Sequence, residues 1–206
     1  MRMFFKALCC SFIICCMMSM TGFCGACDDI SNEVFRLHIL ANSDSNEDQQ
    51  LKLKIRDGIL QYTETIFACS KSKEQSMALA EAHLDDIKNY AQSLIYRYGY
   101  RYHVDAYIAK MPFKTRTYEH FTLPAGNYDA LRIVIGSGKG HNWWCVLYPS
   151  LCLPSAQSDD ELNKAMNEQE KKIVSDTETY RVKFKIVEWW EELCSCFERN
   201  NQKNSH

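Results

Sequence analysis

The sequence has no surplus of basic charge: 24 lysines and arginines stand against 26 aspartates and glutamates, a formal net charge of −2. Without such a surplus there is no electrostatic footprint for nucleic acid. Internal repeats and low-complexity blocks are also absent, so the chain is not an array of small units. Glycine is scarce, at eight residues, yet three of the eight fall between Gly136 and Gly140. They open a segment, Gly136 to Cys152, that also holds His141, Trp143, Trp144, Cys145 and Cys152. No single structural demand brings those residue types together, and the segment is the first place to look for function.

The N-terminus carries Arg2 and Lys6, then an uncharged run from Ala7 to Cys27 that ends at Asp28. This pattern reads as an export signal covering residues 1–26, with Cys24, Gly25 and Ala26 supplying the small side chains that a signal peptidase needs. A retained N-terminal anchor and lipidation of Cys27 are the alternatives. Loss of Arg2 and Lys6 would leave the acidic residues four in excess. About 180 residues then remain, enough to bury the core of one domain. Four of the eleven cysteines (Cys9, Cys10, Cys15 and Cys16) lie inside the apolar run. A cut after Ala26 leaves the even set Cys27, Cys69, Cys145, Cys152, Cys194 and Cys196, compatible with disulfides outside the cytoplasm. Cys145 and Cys152 flank a turn at Pro149 and are the expected pair, a bridge worth roughly 2 to 3 kcal/mol on the loop-entropy account. Two buried free thiols are the alternative.

Periodicity predicts an α+β fold: a single domain with a mixed β-sheet, two long N-terminal helices and a C-terminal amphipathic helix. Residues Val34 to Asn42 alternate and then turn apolar, as a strand entering a core does. Ser45 with Asp48 forms a capping box opening a helix over 46–68, whose Leu51, Ile55, Ile59, Tyr62 and Ile66 recur at helical spacing. Ser72 with Gln75 opens a second helix that Gly99 stops. Strands follow over 102–111 and 113–118, joined at Pro112, and a hairpin over 128–135 and 143–148 is expected to turn at the glycines. The core region is taken as 27–153, a polar connector as 154–178, and a C-terminal aromatic amphipathic segment as 179–200. In that last segment Val182, Ile186, Trp189, Trp190, Leu193, Cys194 and Phe197 fall on one helical face, either core or a surface for a membrane or partner.

Several chemical readings of these residues fail on spacing. Gly136 to Gly140 offers a strand, glycines and Lys139, but not the Walker spacing nor a helix to follow it, so a tight turn is the better reading. Asp44, Asn46 and Asp48 mimic the start of a calcium loop, but Gln49 stands at the turn glycine and Ile55 at the bidentate glutamate. Metal binding by His141, Cys145 and Cys152 lacks a recognised spacing, and no metal or other cofactor is expected. Cys145 with His38, His141 and Asn142 has the residue types of a cysteine hydrolase, and a cell-envelope hydrolase with Cys145 as nucleophile is retained as the alternative function. Trp143 and Trp144 are neighbours, so on a strand one is expected to face the core and the other to offer an exposed aromatic contact surface.

Four stretches, Arg36 to Ser45 (RLHILANSDS), Leu51 to Asp57 (LKLKIRD), Leu123 to Gly136 (LPAGNYDALRIVIG) and Gly138 to Val146 (GKGHNWWCV), together resemble stage II sporulation protein R. The likeness runs from Val34 to Cys152, and Phe184 to Trp190 (FKIVEWW) is similar to that family's closing segment. The resemblance implies a non-enzymatic signalling protein, made in a forespore and secreted into the space between forespore and mother-cell membranes. Its implied partner is a membrane-embedded aspartic protease of the mother cell, whose activation leads to processing of the precursor of an early mother-cell sigma factor. The family brings no catalytic residues. Candidate partner contacts in this chain are His38, Asn42, Asp44, His141, Asn142, Trp143 and Trp144. Contact with a membrane surface is a further possibility for the partner list, and nucleic acid is not.

Overall fold

A computed structural model describes residues 2–118, 121–151, 165–176 and 179–189. The protein is α+β, and its residues cluster into two compact units, one of 32–111 with 128–166 and one of 1–31, 112–127 and 167–206.

The first unit is built on a four-stranded mixed sheet. Its strands are β1 (Phe35–Leu40), β2 (Val104–Phe113), β5 (Gly126–Ile135) and β6 (Asn142–Tyr148), in the order β2-β5-β1-β6. β1 runs parallel to β5, with Leu37 opposite Leu131, and antiparallel to β6, with Leu37 opposite Cys145. Every residue of this central strand is buried. Its alternation assigns the two faces: Phe35, Leu37 and Ile39 join the apolar core, while Arg36, His38 and Leu40 point the other way. On that second face the Arg36 guanidinium lies 4.9 Å from the centre of the Tyr128 ring.

Three helices cover the first face. α2 (Asn46–Phe67) starts where the sequence indicates, at Ser45, whose hydroxyl accepts from the Asp48 amide at 3.2 Å. Its Leu51, Ile55 and Ile59 enter the core beside Ile87, Ala91, Leu94 and Ile95. The second expected helix is two: α3 (Lys73–Ala82) and α4 (Leu84–Arg97) meet at His83, which caps one and starts the other with φ −106° and ψ 15°. Hydrogen bonds from the His83 amide to the Leu79 carbonyl and from the Ile87 amide to the His83 carbonyl carry the chain through the bend. Helical periodicity survives such a bend, so the pattern alone does not mark it.

Two strand expectations are corrected. β2 continues through Pro112 rather than breaking there, which its position at the edge of the sheet permits because no neighbour needs the missing N–H. The expected hairpin of β5 and β6 does not form, because β1 lies between them. The glycine segment is therefore a crossing loop that passes over the end of β1.

In the second unit, β3 (Arg116–Thr117) pairs antiparallel with β4 (Thr122–Leu123). α1 (Arg2–Glu33) runs without a break through the expected cleavage boundary, and Ala26, Cys27 and Ile30 are buried. No described helix is long and apolar enough to cross a membrane. The described part of the polar connector includes α5 (Glu168–Ser175), opened by a full capping box between Asn167 and Glu170. Residues 179–189 are helical and pack on α1 through Tyr180 and Phe184, whose rings each lie 5.6 Å from that of Phe23. Residues 152–164 and 190–206, with Cys152, Trp190, Leu193, Cys194 and Phe197, lie outside the described residues.

Candidate functional site

The chain leaves β1 at Leu40 and enters α2 at Asn46, so the five residues Ala41 to Ser45 must turn sharply at one end of the sheet. Asp48, in the first turn of α2, organises that turn. Its buried carboxylate accepts from Asn42 Nδ2 at 2.9 Å and from Ser43 Oγ at 2.6 Å. Burial pushes this carboxyl up, but the hydrogen bonds from Ser43, Asn42 and Tyr102 outweigh it and hold the group below the usual carboxylate range. Gln49 adds a bond from Nε2 to the Ser43 carbonyl at 2.9 Å.

The crossing loop closes on this turn. The Ser137 amide donates to Asn42 Oδ1 at 2.9 Å and the Ser137 hydroxyl to the Asn42 carbonyl at 2.7 Å. The Gly140 amide donates to the Ala41 carbonyl at 2.9 Å. Two glycines are dictated by this geometry. Gly136 has φ +58°, and a Cβ there would collide with the Asn42 side chain; a Cβ on Gly140 would collide with the Ser43 backbone carbonyl. The loop amides are thus committed to Asn42, Ala41 and Asp44, and are not arranged to cradle a phosphate.

His141 ends the loop. Its amide donates to Asp44 Oδ1 at 2.6 Å, and its ring Nδ1 meets the same oxygen. The backbone hydrogen bond from His141 is the main reason that the Asp44 carboxyl lies below its ordinary range. From beneath, the buried Lys52 ammonium donates to the His141 carbonyl at 2.8 Å and to Gln49 Oε1 at 2.6 Å. Burial pulls the Lys52 pKa down, partly offset by the charge of Asp44. Above these anchors the His141 side chain is 79% exposed and that of Asp44 is 55% exposed.

β6 begins beside the loop. Both tryptophans are half-buried, where one buried and one exposed ring was expected. Trp143 packs against the helix-side core, with the Arg56 guanidinium 4.2 Å from its ring centre. Trp144, on the opposite face, stacks on the imidazole of His38 at 3.9 Å. His38 is 2% exposed, so it supports the surface rather than forming it. Burial pushes its pKa down to about 4, against the raising effect of a hydrogen bond to the Asn142 side chain.

All seven candidate contact residues therefore sit at one end of the sheet, on the β1–α2 turn, the crossing loop and the adjoining ends of β1 and β6. Sequence reading missed Asp48, Lys52 and Ser137 as organisers of the site. Asp48 was visible as a helix-capping residue and as part of the failed calcium-loop pattern, and nothing local marks Lys52 as buried. Cys145 is 1% exposed, belongs to the helix-side core and is disulfide-bonded; its expected partner, Cys152, lies outside the described residues. It presents no thiolate to a substrate. Of the two imidazoles in that reading, His141 is bound to Asp44 and His38 is stacked on Trp144. Among the described residues no group of histidine, cysteine and carboxylate side chains could hold a metal ion.

Comparison with known proteins bears on the same stretches. The family description stage II sporulation protein R matches residues 31–159. Stage II sporulation protein R of Bacillus subtilis (strain 168) is 33% identical over 187 residues, covering 81% of this chain and 84% of that protein. No solved structure matches. The chain belongs to the stage II sporulation protein R family, and its role is in sporulation.

Proposed function

We propose, from membership of the stage II sporulation protein R family, that this chain is an exported sporulation signal. In this reading residues 1–26 direct export from the forespore, and the protein acts in the space between the forespore and mother-cell membranes. It binds and activates a membrane-embedded aspartic protease of the mother cell, which leads to processing of the precursor of an early mother-cell sigma factor. The protein acts by contact and needs neither cofactor nor metal. Cys152 is the proposed disulfide partner of Cys145.

One observation supports a contact mechanism above the others: His141 and Asp44 are exposed side chains on backbone that is fixed from below by Asn42, Lys52 and Asp48. A rigid, preorganised projection loses little entropy when a partner engages it, which is what an activator that works by binding requires. The test is reconstitution of the purified exported protein with the candidate protease and its precursor substrate in vesicles. Processing that depends on the added protein and falls at least about tenfold with His141→Ala or Asp44→Ala supports the reading, a loss expected of an interface hot spot. Undiminished processing by both variants overturns it.

A further inference from the structure

The second unit contains a cavity of about 460 Å³ that the signalling reading does not use. Thr115, Thr117 and Thr122 of the β3–β4 region line one side, and Arg181, Phe184, Lys185 and Glu188 of the helix 179–189 line the other. Its polar atoms are arranged for an anion. Thr115 Oγ1 is buried and has no hydrogen-bond partner among the described residues, which leaves a hydroxyl in need of an acceptor or donor. Thr122 Oγ1 donates to Thr117 Oγ1 at 3.1 Å. Lys185 Nζ donates to Glu188 Oε2 at 2.7 Å, which among the described residues leaves the Arg181 guanidinium as the cation of the lining not matched by an acid there.

A second observation lies on the same helix. Tyr180, Phe184 and Val187 point inward, the first two against Phe23. Val182, Ile186 and Trp189 point outward and are 72%, 40% and 65% exposed. At 100° per residue these three span one narrow arc, and Arg181 and Lys185 occupy the arc beside it. An exposed apolar stripe ending in tryptophan and flanked by cations is the pattern of a helix that lies in a bilayer interface.

We propose that this helix docks the protein on an anionic phospholipid surface, with Val182, Ile186 and Trp189 in the acyl boundary and a lipid phosphate in the Thr115–Arg181–Lys185 cavity. The apolar stripe fixes the source of the phosphate as a lipid, because a free anion has no use for three exposed apolar side chains. Among the described residues 179–189, Arg181, Lys183 and Lys185 stand against Glu188, and the Arg181 and Lys185 charges beside the stripe complement an anionic headgroup layer. The inference does not rest on the protease reading, and its test contains no protease.

Flotation of the purified full protein with vesicles of phosphatidylcholine plus phosphatidylglycerol, and with phosphatidylcholine alone, tests the proposal. The protein is expected to float with the anionic vesicles, and Ile186→Ser with Trp189→Ser is expected to lower partitioning at least about tenfold, since binding follows buried apolar area. Arg181→Gln is expected to lower binding to anionic vesicles and leave the weaker binding to neutral vesicles unchanged. A thermal melt of each variant identifies any that fails to fold, and Val182→Asp, at the most exposed position, then replaces it. Equal flotation of the stripe variants and the wild type would overturn the proposal, because α1 alone would then carry the membrane contact. It would equally be overturned if inorganic phosphate stabilised the protein through Arg181 while neither vesicle bound it.

Discussion

The imidazole of His38 lies flat against the indole of Trp144, with ring centres 3.9 Å apart and planes 8° from parallel. Burial holds the His38 pKa near 4 where an exposed histidine titrates near 6.5, so the stacked ring is neutral at neutral pH. The unfolded chain takes up a proton as the pH falls through 6.5, while the folded chain does not until about 4. Stability is therefore full above 6.5 and declines across that window, by up to about 3 kcal/mol for this shift. Urea unfolding at stepped pH should show the decline, and His38→Phe should flatten it. The lowered carboxyls of Asp44 and Asp48 act at lower pH and do not account for a slope in this window.

Asn42 joins the two loops by donating to Asp48 and accepting from the Ser137 amide. Asn42→Ala removes both bonds and leaves a buried carboxylate short of a donor, at a cost of about 2 to 3 kcal/mol. Asn42→Asp replaces the donor with a second carboxyl facing Asp48 and should cost more. Chemical denaturation of the two variants checks both the size and the order.

Gly140→Ala drives a methyl group into the Ser43 backbone carbonyl, which has no rotamer by which to yield. The crossing loop must lift from the end of β1, at a cost of about 2 kcal/mol or more. Hydrogen exchange should then speed up at the amides of Ser137, Gly140 and His141 while the sheet core stays protected.

His141→Ala alters an exposed side chain and should leave the melting temperature close to that of the wild type, whereas Asp44→Ala also removes the acceptor of the His141 amide and should lower it slightly. Precursor processing in the reconstituted system should nevertheless fall with each. A parallel loss of stability and activity would instead assign this pair to the fold.

Alkylation separates the thiols. Cys69, exposed and free, should react in the native protein, whereas Cys145 should react only after reduction and unfolding. Mass spectrometry of the labelled peptides gives the answer directly.

Where the fold was legible in the sequence, the signal was local. Ser45 and Ser72 cap helices as their side chains dictate, and Phe35, Leu37 and Ile39 alternate with Arg36 and His38 as a strand with two distinct faces must. The order of the strands was not legible. Two strands separated by glycines read as a hairpin, and only the pairing of β1 with both β5 and β6 shows otherwise. The candidate site followed the same division. His141, Asp44 and the tryptophans stood out by residue type, but Lys52 is an ordinary lysine until the His141 carbonyl is placed against it.

The position of β1 also sets an order of events. Both of its neighbouring strands come from the later part of the chain, and the Asn42–Ser137 bond joins residues 95 positions apart. Contacts of that separation form slowly, and none of them exists until β5 has been made. A chain that emerges from its N-terminus delivers β1 early and must leave it unpaired until the downstream strands arrive. The His141–Asp44 projection consequently waits for the crossing loop, and no fragment ending before residue 141 can display it.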